Sequence, residues 1–217
     1  MSDPIRILQI RQFGVRYWLT ISGLEKPIAV GEELVQRYRL KEGIVVTEPQ
    51  LAQLLAEAEL AECDRETARL LAMRDHSIGE LKLKLVRKQF SRKSIQEIIK
   101  RYESRGLLDD SHYAHNLARR ALEKNPSGRT FLVATLVKKH VNRQLAEETA
   151  DMVLAGTDEV TLAVASLRKR WRTLRQLELE TARTRAYTYL GRRGISYEAA
   201  RAAFEQLYDQ ENEVEDY

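Results

Sequence analysis

The chain has 217 residues, 31% of them charged and 43% hydrophobic, with a formal net charge of +4. That length can bury a core of one or two domains, no apolar run approaches the ~20 residues of a membrane span, and no signal-peptide core opens the chain, so a soluble protein is expected. Cys63 is the single cysteine, which excludes an internal disulfide and cysteine ligation of zinc and points to a reducing compartment, the cytoplasm.

The charge is unevenly placed. Residues 1–63 carry 7 basic and 9 acidic side chains, residues 64–204 carry 29 and 17, and residues 205–217 carry 6 acidic and no basic ones. The positive excess therefore lies in the long middle segment, where a polyanion or an acidic protein surface would be attracted.

Ile5–Arg11 alternates apolar and polar residues, and Val15–Ile21 does so through Tyr17, Leu19 and Ile21, with turns at Gly14 and Gly23 and a short third strand at Pro27–Val30. This predicts a β-hairpin or three-stranded meander, too small to be stable without packing from neighbouring helices. Trp18 is read as a core or interface residue of this module. Glu32–Arg39 predicts a short helix and Ile44–Val46 an extended segment. From Glu48 the pattern is helical, with an apolar stripe through Leu51, Leu54, Leu55, Ala58, Leu60 and Ala61 and with Pro49 suited to a first turn. Whether this helix breaks at Cys63–Asp64 is not decided by the sequence.

Beyond it, one pattern occurs three times, at Leu81–Tyr102, Leu132–Val153 and Ala186–Leu207. Leu85, Leu136 and Leu190 coincide, as do Phe90, Val141 and Ile195. Each of the latter is followed by a good N-cap residue, Ser91, Asn142 or Ser196. Positions four, eight and eleven after each cap share one helical face and are small or apolar in every copy. A preceding helix keeps the theme, with Asp64, Asp110 and Asp158 as candidate caps, so each unit has three helices and the three units read as duplications. Ser77 and Glu80 have the spacing of a capping box. In Gly106-Leu107-Leu108-Asp109-Asp110, Gly106 ends a helix, the two leucines enter the core and Asp110 caps the next helix. Glu205–Tyr217 reads as an acidic, frayed tail.

The inventory of chemistry-bearing residues is poor. There is no Gly-rich phosphate loop, nucleophile set or paired-carboxylate context, and the four histidines (76, 112, 115, 140) make no metal set. No enzymatic activity, metal or cofactor is expected. The sequence offers basic helix faces instead. The candidate partner- or DNA-binding residues are Lys82, Arg87, Lys88 and Arg92 in the first copy and Lys138, Lys139 and Arg143 in the second. In the third they are Arg170, Arg172, Arg192 and Arg193, together with Trp171, which could stack on a base, seat in a partner pocket or belong to the core.

Four stretches carry a resemblance: Arg74-Asp75-His76-Ser77-Ile78-Gly79-Glu80-Leu81 with Leu85; Gly106-Leu107-Leu108-Asp109-Asp110-Ser111-His112-Tyr113-Ala114; Gly128-Arg129 with Leu136; and Leu190-Gly191-Arg192-Arg193-Gly194-Ile195-Ser196-Tyr197. Covering residues 64 to 208, they resemble the RecX family, regulators of RecA recombinase filaments. His140 replaces a common glycine and Ile195 a usual aromatic, both at structural positions. The N-terminal β module resembles an extension carried by some members.

The resemblance implies a mainly α fold: a tandem repeat of three three-helix units forming an elongated curved array, with the small N-terminal β module attached. The expected division is a β-rich module at 1–47, a connecting helix at 48–63, repeats at 64–106, 107–155 and 156–210, and an acidic tail at 211–217. It also implies a non-catalytic protein acting in DNA recombination, repair and the SOS response; an open array with capped ends needs no partner for solubility, so a cytoplasmic monomer is expected. Such a protein binds the RecA filament and inhibits its ATP hydrolysis and strand exchange or promotes its disassembly; the basic faces add single- or double-stranded DNA as a candidate partner, and no membrane contact is expected. The alternative reading is a stand-alone basic helical DNA-binding protein.

Overall fold

The computed structural model describes residues 4–215. Among these lie one three-stranded antiparallel sheet and ten helices, and the chain divides into two compact units: Met1–His76 with Leu81–Leu108, and Ser77–Glu80 with Asp109–Tyr217. No helix among the described residues is long and apolar enough to cross a membrane.

In the first unit, β1 (Ile7–Phe13), β2 (Arg16–Ile21) and β3 (Ile28–Gly31) form a meander, followed by the short helix α1 (Glu32–Arg37). Period-two alternation sends Leu19 and Ile21 into a core with Ile7, Val30, Leu34 and Leu40. The same alternation turns Trp18, paired with Arg11 and Ala29, to the other face, where it is 42% exposed; it is not a core residue. Val45 bridges Arg6, closing the extended segment onto β1.

The sheet is stabilised by α2, a single helix from Glu48 to Met73. It opens with a full capping box between Thr47 and Gln50 and has Pro in its first turn. Asp64 therefore sits mid-helix and caps nothing. At ~39 Å the helix is long enough to serve two cores. Leu54 and Ala58 pack on the sheet, and Cys63, Thr67 and Leu70 are buried further along, in the half of the helix that continues toward α4. Glu57 ties α1 to α2 by accepting from Tyr38 Oη (2.9 Å) and Arg37 Nη1 (2.8 Å), and Arg16 on β2 reaches Glu62 (3.1 Å).

The remaining helices are α3 (Ile78–Arg87), α4 (Arg92–Ser104), α5 (Asp110–Lys124), α6 (Arg129–Lys138), α7 (Arg143–Leu154), α8 (Glu159–Leu174), α9 (Leu179–Gly191) and α10 (Tyr197–Glu215). Ser91, Asn142 and Ser196 cap α4, α7 and α10 through their side-chain oxygens. The tail expected to fray is thus helical to Glu215; Asp216 and Tyr217 lie outside the described residues. Asp109, not Asp110, caps α5, accepting from the amides of Ser111 and His112. Asp110 instead accepts from Ile78 N at 2.8 Å, satisfying a first-turn donor of α3. Leu108 is buried, but Leu107 is 58% exposed and does not enter the core.

The ends of α3, α6 and α9 are built alike. Gln89, His140 and Gly194 take φ of 66°, 61° and 69°. The next amide, of Phe90, Val141 or Ile195, returns to the carbonyl of Leu85, Leu136 or Leu190, and the left-handed residue's own amide bonds three residues back. This is the Schellman arrangement, in which a left-handed residue lets the last helical carbonyls find donors. The three leucines that coincide in sequence are the residues whose carbonyls close these turns, and all three are fully buried.

Within the second unit the carbonyl just before the left-handed residue is used again. Ser77 Oγ, which accepts from Glu80 N, donates to Lys139 O at 2.6 Å, and Gly128 N donates to Arg193 O at 2.8 Å. The backbones come so close that one member of each facing pair must be glycine. A Cβ on Gly79 would lie 2.4 Å from His140 O, one on Gly128 1.9 Å from Gly194 O, and one on Gly194 2.9 Å from Phe131 N. Small residues repeat the theme inside the cores: Ala114, Ala118, Ala146 and Ala150 with Leu132 and Leu136, and Ala163, Ala186, Ala200 and Ala203 with Leu167, Leu190 and Phe204.

Gly128→Ala, where only backbone could give way, should cost about 2–3 kcal/mol. Gly156→Ala, at φ 74° but with nothing within 4 Å, should cost only the ~1 kcal/mol of a left-handed alanine. Urea-unfolding midpoints of the two variants check this; an equal or smaller loss for Gly128→Ala would refute the close-approach reading.

Candidate functional site

Helices α8 and α9 form a hairpin through residues 175–178, and a cleft of about 540 Å³ opens along it. Four cations line it, Lys169 and Arg170 from α8 and Arg185 and Arg192 from α9 and its end. Thr173, Thr184 and Thr188 add hydroxyls, Leu174 and Leu177 add apolar surface, and no carboxylate takes part. Arg170, Arg185 and Arg192 have no ion-pair partner among the described residues. Lys169 Nζ donates to Lys124 O at 2.6 Å, at the negative end of α5.

One aromatic organises the cluster. The guanidinium carbons of Arg170 and Arg193 lie 4.6 and 4.7 Å from the Tyr189 ring centroid, and Arg193 is also 5.8 Å from that of Phe131. Stacking on aromatic faces fixes the planar forks while leaving N–H edges for other acceptors. Ser166 Oγ in turn lies 3.4 Å from Tyr189 Oη.

The structure sorts the residues singled out by sequence. Arg170 and the adjacent pair Arg192 and Arg193, 22 or more positions further on, come together around Tyr189 and the cleft. Trp171 packs edge-on against Phe204, centroids 5.4 Å apart, half-buried on the core of α8–α10. Arg172 is exposed and does not line the cleft. Lys138 and Lys139 are exposed at the end of α6, and Arg143 pairs with Glu147 at 3.5 Å. In the first unit Lys82, Arg87 and Arg92 are exposed, whereas Lys88 is held by Glu66 at 3.3 Å.

Sequence reasoning missed Tyr189 and the three threonines. For Tyr189, Thr184 and Thr188 the signal was the α9 spacing, with Arg185 and Tyr189 four apart, Thr184 and Thr188 four apart, and Arg192 seven beyond Arg185, all on one helical face; Thr173, on α8, gave none.

Two titrations bear on the chemistry available. Burial pushes the Cys63 thiol up to about 11, so it stays a protonated core group and is no nucleophile. The hydrogen bond from Arg69, then that from Lys88, hold the Glu66 carboxyl down at about 2. Among the described residues no group of three or more His, Cys, Asp or Glu could hold a metal ion.

The fold and the site together define the class of the protein as mainly helical, with repeated capped turns and a cationic cleft free of carboxylates. Comparison with known proteins narrows that class. The chain is 31% identical over 139 residues to the regulatory protein RecX of Pelodictyon phaeoclathratiforme, covering 64% of this chain and 84% of that one. It is 30% identical over 137 residues to that of Prosthecochloris aestuarii, covering 63% and 87%. The chain belongs to the RecX family of regulatory proteins. Its fold is similar to a crystal structure of regulatory protein RecX, with a TM-score of 0.67 at 19% identity over 92% of this chain and 99% of that one. It is also similar to RecX from Lactobacillus salivarius, with a TM-score of 0.60 over 69% and 96%. No family model matches the chain.

Because the Glu66 pKa is lowered, its contribution to stability is complete above the ordinary carboxylate range and fades as pH falls from about 4.5 through about 2. Glu66→Gln should therefore destabilise the protein by ~1 kcal/mol at pH 7, with the difference shrinking between pH 4.5 and 2. Unfolding midpoints measured across that range check it; a difference independent of pH would contradict the assignment.

Proposed function

We propose that this chain binds the RecA recombinase–DNA filament and modulates it, chiefly by inhibiting ATP hydrolysis and strand exchange or by shortening filament lifetime, in DNA recombination, repair and the SOS response. The observation that carries the reading is membership of a family whose members are named regulatory proteins RecX. The cationic cleft of α8 and α9 agrees with action on a partner that bears a polyanion.

In this reading the functional organisation is a β-rich module (1–47), a connecting segment (48–63), three helical repeats (64–106, 107–155, 156–210) and an acidic end (211–217). The contacting side chains are those of the basic faces: Lys82, Arg87, Lys88 and Arg92, then Lys138, Lys139 and Arg143, then Arg170, Arg172, Arg192 and Arg193. The protein acts as a cytoplasmic monomer. Trp171, packed on Phe204, serves as a core residue.

The absence of carboxylates from that cleft favours a second reading, direct binding of DNA without recombinase. Sedimentation separates the two. RecA filaments assembled on single-stranded DNA with a slowly hydrolysed ATP analogue should carry the chain into the pellet at a fixed stoichiometry, well above what bare DNA carries. Equal pelleting with bare DNA at matched phosphate concentration would favour the second reading. No pelleting with either would refute both.

A further inference from the structure

We propose that the α8–α9 cleft is a binding site for the phosphodiester backbone of single-stranded nucleic acid, read without regard to base. The inference deepens the filament reading and rests on it in one respect: the strand held here would be DNA belonging to that filament.

Charge points first to an anion. Elsewhere in this chain several arginines on helix faces are matched by carboxylates one turn away, as in Arg37–Glu33, Arg69–Glu66 and Arg201–Glu205. Along the cleft that pattern lapses. Four cations face one cavity, none of them in an ion pair among the described residues. Like charges gathered on a partly apolar surface repel one another until an anion enters.

Donors and acceptors along the cleft are equally one-sided. Lysine and arginine are donor-only groups, and the helix backbones along the cleft spend their own N–H and C=O groups internally. A peptide lying here would bring backbone N–H donors that find few acceptors beyond three threonine hydroxyls. A phosphodiester brings oxygens that only accept, so it matches a surface built of forks and hydroxyls. The face from Arg185 to Arg192 runs ~10 Å along α9, enough to follow successive phosphates of one strand. The cavity volume also falls within the range of ordinary ligand sites.

The aromatics weigh against base readout. Two guanidiniums already lie over the Tyr189 ring, so this side chain is engaged in orienting arginines and is no platform for a base. Trp171, the other aromatic nearby, is packed against Phe204. What remains exposed to a strand is charge and hydroxyl, which bind every sequence alike.

The test uses the full chain without recombinase: fluorescence anisotropy of a labelled 20-nucleotide dT strand over a range of salt concentrations. Arg185→Gln, which disturbs no aromatic stack, and the double variant Arg170→Gln/Arg192→Gln should weaken binding about 5-fold and 20-fold or more. The double variant should also lower the slope of log affinity against log salt by about 1.4, two phosphate contacts on a single strand. Arg168→Gln, exposed on α8 but not lining the cleft, should change little, and dA and dT strands should bind alike.

Equal weakening by Arg168→Gln and Arg185→Gln would overturn the site. So would a 20-residue poly-glutamate that displaces the strand at matched charge, since that result assigns the cleft to acidic peptide. The same variants keep the filament reading separable. Normal filament inhibition by a chain whose strand binding ignores the cleft sinks this inference alone. Cleft-dependent strand binding by a chain that leaves filaments untouched supports the site and refutes the filament reading.

Discussion

The second unit depends on a carbonyl that two elements share the work of placing. At the end of α6 and again at the end of α9, a residue with positive φ reverses the chain. The carbonyl just before it, of Lys139 or Arg193, then points outward to a donor on the opening turn of another helix, Ser77 Oγ or Gly128 N. The contact is short because the space beside it is filled by backbone on both sides, and the opening turn must carry glycine at each site: Gly79 against His140, and Gly128 against Gly194. The left-handed residue can thus be histidine at one site and glycine at the other.

The candidate site inherits its geometry from that turn. Arg193 gives its carbonyl to Gly128 and lays its guanidinium over Tyr189 and Phe131. The residue that fastens α9 to the start of α6 is therefore also the residue that, with Arg170, fixes the Tyr189 cluster beside the cleft. Lys169 makes a second connection through the carbonyl of Lys124. A rigid helical hairpin so anchored carries its cations at fixed spacing, which is what a surface needs if it is to recognise an extended polyanion by position and not only by attraction.

Much of this was legible in the chain. The threefold recurrence was visible because the carbonyl-closing leucines and the polar caps must recur wherever the same turn is made, and the β module was visible in its period of two. Other features were decided by partners far away in sequence. Asp109 and Asp110 are chemically identical; their roles are set by Ile78, whose amide needs an acceptor and finds Asp110. The unbroken α2 reflects cores on both halves, which no local signal at Cys63–Asp64 reports. Trp18 stays outside the core because alternation with the buried Leu19 and Ile21 assigns it to the opposite face, so of the core and interface readings only the core one is excluded. In the site, the arginines were legible as charge, but Tyr189 was not, because an aromatic half-buried on a helix gives no sign in sequence of the guanidiniums stacked on it.

Whether this chain alters a recombinase filament is the point on which its function turns. The most direct measurement is ATP hydrolysis by RecA on single-stranded DNA while the chain is titrated in. Filament regulation predicts progressive inhibition, complete at or below one chain per recombinase protomer and at salt concentrations where bare DNA is no longer bound. Hydrolysis that continues unchanged at stoichiometric excess would contradict it.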